Sequence, residues 1–215
     1  MKEKEPEQNI CPHCHFDQST YVMPPYVLTP YTVLNGRYLV GKVLGKGGFG
    51  ITYIAMGMML ERVVAIKEFF VQGYMYRDNS TSTSISVSTS AGDSQEQYYR
   101  LNREKFEREA KIIAHLDDLT GIVKVYDFFY ENDTVYMVLE YLDGINLKEY
   151  VKAQGGKLNV NEVTSKLNSV MSSLQNLHEH GILHRDISPD NIMVLGDGSL
   201  KLLDFGGAKI QANTG

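Results

Sequence analysis

Three polar residues near the C-terminal end of the chain have types and spacing that suit phosphoryl transfer. The run His-Arg-Asp-Ile-Ser-Pro-Asp-Asn begins at His184, and Asp-Phe-Gly begins at Asp204. In this arrangement Asp186 would accept or orient the proton of an attacking hydroxyl, while Asn191 and Asp204 would hold the magnesium ions that bridge ATP phosphates. The triplets His-Arg-Asp and Asp-Phe-Gly are each common in proteins. Their order along one chain makes the combination specific.

A glycine-rich run lies upstream, between two apolar segments that cover residues 38–44 and 51–55. It reads Gly45-Lys46-Gly47-Gly48-Phe49-Gly50. The same Gly-x-Gly-x-x-Gly spacing marks dinucleotide-binding folds, but there it opens a helix, whereas here it precedes a strand pattern. Glycine lets backbone N–H groups approach phosphate oxygens because no Cβ intervenes. We predict a hairpin whose turn cradles phosphates; the alternative is a hairpin tip without a ligand.

Lys67 and Glu109 are predicted to form a buried ion pair. Lys67 ends the β-branched run 63–67, which is typical of a buried strand. A helix is predicted from about Leu101 to Leu116, and on its helical wheel Glu109 falls inside the apolar stripe. A carboxylate at the centre of an apolar face requires a partner. Lys67 is the evident partner.

With these motifs the sequence resembles the protein kinase family, specifically bacterial serine/threonine kinases of the eukaryotic-like type, over residues 34–209. The resemblance implies an α+β fold: a complete antiparallel-sheet small lobe with its regulatory helix, then the first part of a helical large lobe. It implies transfer of the ATP γ-phosphate to serine or threonine hydroxyls of a protein substrate. The alternative is a pseudokinase, which binds nucleotide and regulates a partner without transfer.

The resemblance also implies roles for individual residues. The nucleotide cradle would include Gly45, Gly47 and Gly50, the Lys67–Glu109 pair would clamp the α- and β-phosphates, and Asp186 would be the catalytic base. Around the adenine, the family pattern places Ala65 and Met193 on the two ring faces, backbone groups of Glu140 and Leu142 at the ring edge, and Leu139 as gatekeeper. An apolar column linking the lobes would consist of Ile113, Val125, His184 and Phe205.

The sequence departs from the family pattern at three places. Ser188 stands where the family usually has a lysine that helps to neutralise the γ-phosphate, so one cation is missing. Thr52 stands in place of the usual valine near the adenine, and its hydroxyl needs a partner. Nothing matches the Ala-Pro-Glu end of the activation segment. We therefore expect a truncated kinase domain, which would itself transfer little phosphate.

The predicted organisation is a flexible tail over residues 1–30, a small lobe over 31–141 and part of a large lobe over 142–215. Residues 78–94 form a Ser/Thr-rich insert, for which low complexity favours mobility over a short edge strand at 85–87. Two capping boxes, Asn146 with Glu149 and Asn159 with Glu162, predict helix starts. The second helix carries a stripe that is predicted to be core: Val163, Leu167, Val170, Met171, Leu174 and Leu177.

Cys11 and Cys14 form a Cys-x-x-Cys motif in the predicted tail, beside His13 and His15. The motif resembles one knuckle of a zinc ribbon, and zinc is a candidate second metal. Tetrahedral zinc needs four ligands, and there is no second Cys-x-x-Cys. A vestigial half-ribbon and, less favoured, a redox pair stay open as alternatives.

Composition is that of a globular protein with 43% hydrophobic residues and a net charge of −5. The chain has no excess of basic residues, the feature that would indicate nucleic acid or anionic lipid as a partner. No apolar run approaches the ~18 residues of a membrane span, so we expect a cytoplasmic location, with a downstream membrane anchor left open. Oligomeric state, protein substrate and activating signal are not predicted from the sequence.

Overall fold

The computed structural model describes residues 21–79, 82–87 and 92–210, and in residues 92–95 only the backbone. The small lobe is an antiparallel sheet of six strands in the order β1-β2-β3-β4-β8-β7. Its strands are β1 (Val33–Leu34), β2 (Tyr38–Gly47), β3 (Gly50–Gly57), β4 (Arg62–Phe69), β7 (Val125–Glu131) and β8 (Thr134–Glu140). The predicted strands around the glycine-rich run and at 63–67 are thus confirmed.

Strand β4 is an inner strand whose two faces are both covered. Because side chains alternate along a strand, Lys67 and Phe69 share one face and Glu68 lies on the other. Phe69 packs against Phe106 with ring centroids 5.6 Å apart, so the first face meets the long helix. Glu68 is fully buried on the second face.

The long helix α1 (Gly92–Ala114) carries the apolar stripe that was predicted for it, with Phe106, Ala110, Ile112 and Ile113 buried. It begins nine residues before the expected start at Leu101. The early turns escaped prediction because residues 92–100 are mostly polar and carry no apolar period.

The preference for a mobile insert over residues 78–94 is wrong at its centre. Residues Ile85–Val87 form β6, which pairs antiparallel with β5 (Met75–Arg77). Ile85 is 4% exposed, and its N–H donates to the Asn132 carbonyl at 2.8 Å. One buried isoleucine and a backbone bond to the β7–β8 turn outweigh the polar composition of this strand. Residues 80–81 and 88–91 of the insert lie outside the described part of the chain.

The described part of the predicted tail is irregular, as expected, but it belongs to the small lobe. Val27 and Leu28 are 0% and 1% exposed, in one cluster with the buried residues of the sheet. The packed small lobe therefore includes residues that precede its predicted beginning at residue 31. Cys11 and Cys14 lie outside the described residues.

The large-lobe part contains two helices whose predicted starts are confirmed, each with an asparagine side chain as N-cap. Asn146 accepts from the Glu149 N–H at 2.8 Å, and Asn159 accepts from the Glu162 N–H at 2.9 Å. The elements of this part are β9 (Gly144–Asn146), α2 (Leu147–Ala153), α3 (Val160–Glu179), β10 (Ile182–Leu183), a 3₁₀ turn (Pro189–Asn191), β11 (Ile192–Leu195), β12 (Leu200–Leu202) and β13 (Lys209–Ile210). Strands β9, β11 and β12 form one small sheet, and β10 pairs with β13.

The apolar stripe of α3 is core along only part of its length, which corrects the prediction. Val170 and Leu177 are buried and Leu174 packs against the core. Leu167 and Met171 are 50% and 63% exposed, because no described residues cover that face. Among the described residues, no helix combines the length and apolarity needed to cross a membrane.

Candidate active site

The predicted pair of Lys67 and Glu109 is confirmed. The Lys67 ammonium donates to the Glu109 carboxylate at 2.7 Å, and the side chains are 20% and 6% exposed. An Asp204 carboxylate oxygen lies 3.8 Å from the same ammonium. One cation thus joins β4, α1 and the Asp-Phe-Gly run of the large lobe.

Burial and the partner's charge act in opposite directions on the pKa of each member of this pair. Burial opposes the ammonium form of Lys67, but the carboxylates of Glu109 and Asp204 outweigh it, so the pKa of Lys67 is raised. Burial raises the pKa of the Glu109 carboxyl, and Lys67 acts in the opposite direction. The 2.7 Å contact lets the Lys67 ammonium and the Glu109 carboxylate offset each other's cost of burial.

The glycine-rich run lies at the turn between β2 and β3, with Gly47 paired to Gly50. It lines a cleft to which Lys67, Asp186 and Asp204 also contribute. A Cβ added at Gly45, Gly47 or Gly48 would meet no atom within 4 Å, so the space beside this backbone is open to a ligand. All six residues of the run, Gly45, Lys46, Gly47, Gly48, Phe49 and Gly50, line the cleft.

Asp186, Asn191 and Asp204 face this cleft from the large-lobe side, because all three are lining residues. The Asn191 amide nitrogen donates to Asp186 twice, to the carbonyl at 3.0 Å and to a carboxylate oxygen at 2.9 Å. Asp204 has φ of 53°, in the left-handed region that few non-glycine residues occupy. Such strain is typical of functional positions.

His184 supports the backbone around these groups. Its Nε2 donates to the Leu203 carbonyl at 2.9 Å, and its Nδ1 accepts from the Asp186 N–H at 3.4 Å. Its ring lies 4.6 Å from the Phe205 ring, centroid to centroid. Burial lowers the pKa of His184, although the Leu203 carbonyl opposes this, so the imidazole is neutral at pH 7. Of the predicted column, Ile113, His184 and Phe205 are buried and Val125 is half-buried.

The second half of the cleft, about 470 Å³, lies beside the end of β8 and holds most of the apolar side chains of the lining, so it is called the apolar half. Its lining includes the residues that the family pattern places around adenine: Ala65, Leu139, Glu140, Leu142 and Met193. The Glu140 N–H already donates to the Lys124 carbonyl at 2.9 Å, and the Glu140 carboxylate is bonded to Lys201. The Glu140 N–H is therefore not free for a nucleotide. Thr52 lines both halves.

The donor set of the large-lobe side fits magnesium. Mg²⁺ prefers oxygen ligands, and Asp204 supplies carboxylate oxygens. Because the amide nitrogen of Asn191 is held by Asp186, its amide oxygen is the group left for a metal. Within the described residues no group of three His, Cys, Asp or Glu side chains could hold a metal. The zinc prediction concerns Cys11 and Cys14, outside those residues, and stays a prediction.

One polar cluster of the small lobe was not predicted. Glu68 and Arg77 form an ion pair whose side chains are both 0% exposed. Tyr53 and Tyr136 donate to the Glu68 carboxylate at 2.8 and 2.6 Å. A signal for Glu68 existed, since a second charge stands beside Lys67 within a strand pattern. Nothing in the short polar run around Arg77 marks it as the partner.

Comparison with known proteins agrees with this geometry. A model of the protein kinase domain matches residues 38–215. The chain belongs to the protein kinase family. Within that family, the relatives it matches include bacterial serine/threonine kinases, as the resemblance implied.

Two such relatives show the extent of the similarity. Serine/threonine-protein kinase PrkC of Bacillus subtilis (strain 168) is 33% identical over 181 residues, which cover 84% of this chain and 24% of the relative. Serine/threonine-protein kinase PknB of Mycolicibacterium smegmatis is 32% identical over 187 residues, 85% of this chain and 26% of the relative. The chain thus spans about a quarter of the length of these relatives.

A solved structure described as PpkA-294 apo form superposes with a TM-score of 0.76 at 31% sequence identity. The match covers 84% of this chain and 62% of the other. The predicted α+β kinase-like fold is therefore confirmed for the part of the fold that the chain contains.

Proposed function

We propose that the chain binds ATP with magnesium in this cleft and that its catalytic groups transfer the γ-phosphate to serine or threonine hydroxyls of a protein. The observation that carries the proposal is the convergence of Lys67, Glu109 and Asp204 on one phosphate-facing side. The contacts of 2.7 and 3.8 Å between the Lys67 ammonium and the two carboxylates bring together groups from both lobes. The named relatives are serine/threonine kinases, which supports the same activity.

The shape of the cleft supports one orientation of the nucleotide. Its apolar half and its glycine-rich half share the lining residues Gly45, Thr52, Lys67, Glu109 and Asp204. An elongated ligand can therefore lie across both halves. Adenine belongs in the apolar half, and the triphosphate belongs beside backbone N–H groups and the Lys67 ammonium.

The proposed reaction follows from Asp186. Its carboxylate accepts the proton of the attacking hydroxyl while the hydroxyl oxygen forms a bond to the γ-phosphorus; the bond between that phosphorus and the bridging oxygen breaks, and ADP leaves. Two hydrogen bonds from the Asn191 amide hold Asp186 in place. Magnesium held by Asp204 and Asn191 would neutralise charge on the phosphates. Lys67 orients the phosphates from the small-lobe side.

The test compares Asp186→Asn with the unchanged sequence in the longest product of its gene, since the 215-residue chain itself is expected to transfer little phosphate. Transfer of radiolabelled γ-phosphate to a serine/threonine peptide should fall by about 10²–10⁴-fold, because a general base is lost. The affinity for magnesium-ATP, measured by calorimetry, should stay nearly the same. Asp197→Asn is the matched control, since Asp197 lies exposed in the turn between β11 and β12.

Two outcomes would contradict the proposal. Undetectable ATP binding at millimolar concentration would remove the nucleotide site. Equal transfer by the unchanged protein and by Asp186→Asn, with ATP binding intact, would favour the alternative of a nucleotide-binding scaffold without transfer.

A further inference from the structure

The N-terminal segment, residues 21–28, packs on the small lobe ahead of the residues that the kinase family model matches. Val27 and Leu28 are 0% and 1% exposed. The Leu28 N–H donates to the Tyr53 hydroxyl at 3.1 Å. The Asn79 amide donates to the Pro25 and Val27 carbonyls at 2.8 and 2.6 Å. Bonds from two separate parts of the lobe therefore fix the backbone of this segment.

The buried Glu68–Arg77 pair attaches the segment to the strand that carries Lys67. Arg77 donates to the Glu68 carboxylate through one side of its guanidinium and to the Tyr26 carbonyl, at 2.9 Å, through Nη1. Burying two charges is costly unless every donor and acceptor is paired. Since Glu68 also accepts from Tyr53, the pair has one well-defined geometry. Tyr26 is consequently held at a fixed place over the lobe.

Tyr26 contacts the glycine-rich loop, residues 45–50, in two ways. The Lys46 ammonium donates to the Tyr26 hydroxyl at 3.3 Å and lies 5.5 Å from the centre of its ring. The Tyr26 ring also stacks on Phe70, with centroids 5.3 Å apart. The Phe70 N–H donates to the Phe49 carbonyl, inside the loop, at 3.2 Å.

The loop has little packing of its own. Residues 45–49 are exposed, and a Cβ added at Gly45, Gly47 or Gly48 would meet nothing within 4 Å. A glycine-rich backbone loses much conformational entropy when it is ordered around a ligand. Contacts that already restrict the loop reduce that cost, as for any preorganised site.

We propose that the N-terminal segment positions the glycine-rich loop over the nucleotide phosphates, with Tyr26 as the positioning residue. The inference rests on the proposed function, because the ligand of the loop is ATP. Tyr26 touches no phosphate itself in this account. It acts through Lys46 and through the Phe70–Phe49 bond.

The experiment separates binding of the phosphates from binding of the base. Calorimetry gives the affinities of the 215-residue chain for magnesium-ATP and for adenosine, which occupies only the apolar half of the cleft. In Tyr26→Ala the affinity for magnesium-ATP should fall about threefold to tenfold, in the range of coupling between sites in contact. The affinity for adenosine should stay unchanged. Tyr31→Ala is the matched control, because the Tyr31 side chain is 61% exposed.

A double-mutant cycle tests the route through Lys46. If Tyr26 acts through that lysine, Tyr26→Phe, which removes only the hydroxyl, should weaken magnesium-ATP binding in the unchanged chain. The same substitution should have a smaller effect in the Lys46→Ala background.

The other outcomes overturn the inference. An unchanged ratio of the two affinities in Tyr26→Ala would mean that the segment does not position the loop. A parallel loss of both affinities would make Tyr26 a general packing residue. If the unchanged chain bound adenosine but not magnesium-ATP, or neither, the proposed function would fail first and the inference with it.

Discussion

The Lys67 ammonium donates to the Glu109 carboxylate at 2.7 Å, and this bond joins an inner strand of the small lobe to α1. Asp204 approaches the same ammonium from the large lobe at 3.8 Å. The surroundings of the Lys67 ammonium thus depend on the positions of both α1 and the Asp-Phe-Gly run. The phosphate side of the cleft is formed only when all three elements are in place.

Removing that cation should affect both binding and stability. We expect Lys67→Met to weaken magnesium-ATP binding about tenfold or more, since a charge-assisted contact to phosphate is lost. The free energy of unfolding should fall by about 1–3 kcal/mol, because Glu109 is left buried without its partner. Calorimetry and urea denaturation measure the two effects. Lys111→Met, at an exposed position of the same helix, should change neither.

The Lys67–Glu109 pair was predictable because each residue stands out in its own local sequence pattern. Glu109 interrupts an apolar helical stripe, and Lys67 ends a β-branched run. The Glu68–Arg77 pair was not predictable in the same way, since its geometry depends on β5 and β6 folding back together. Pairing between short polar strands leaves almost no periodic signal. The residues of β6 were expected to be mobile because the sequence around them has low complexity.

The glycines of the loop should differ sharply in their response to substitution. A Cβ at Gly50 would lie 2.9 Å from the Glu68 carbonyl oxygen, whereas one at Gly47 would meet nothing within 4 Å. Gly50→Ala should therefore lower the free energy of unfolding by about 1–3 kcal/mol, as overpacking does. Gly47→Ala should leave stability nearly unchanged and weaken magnesium-ATP binding, because its methyl group faces the phosphate space. Comparable destabilisation by both substitutions would contradict the open cradle.

The exposed face of α3 shows a different limit of sequence reasoning. Periodicity identified one apolar stripe, and Val170 and Leu177 at its centre and end are indeed buried. Periodicity cannot tell which part of a stripe finds a partner, since that depends on elements far away in the chain. Leu167 and Met171 were therefore predicted to be core, whereas they are exposed in the described structure.

Stability should depend on pH through His184. Burial lowers the pKa of this imidazole below its ordinary 6.5, so the unfolded chain binds the proton more readily than the folded one. Stability from this group is complete above pH 6.5 and is lost as the pH falls through and below that value. His184→Phe should make the fall in unfolding free energy between about pH 7 and pH 5 shallower. Urea denaturation across that range measures it.

The matched control for this titration is His178→Phe, at an exposed position near the end of α3. Its curve shows the effect of replacing an exposed histidine, and the His184→Phe curve is compared with it. If His184→Phe and the unchanged chain lose stability in parallel as the pH falls, another group causes the loss.

Ser188 offers a test of the missing cation. It precedes the 3₁₀ turn Pro189–Asn191 and makes no side-chain cap hydrogen bond, so its replacement costs no such bond. Two residues before it, Asp186 lines the phosphate side of the cleft. A lysine at position 188 would add one positive charge near the transferring phosphoryl group. A preorganised donor at a developing charge is worth up to about a hundredfold in rate, so Ser188→Lys should raise the rate of phosphate transfer at saturating ATP.

Ser188→Met, of similar length but uncharged, is the control and should leave the rate unchanged. The gain should also shrink at high salt, because screening weakens an exposed charge. Equal rates for the lysine and methionine variants would show that the reaction does not need a cation at this position.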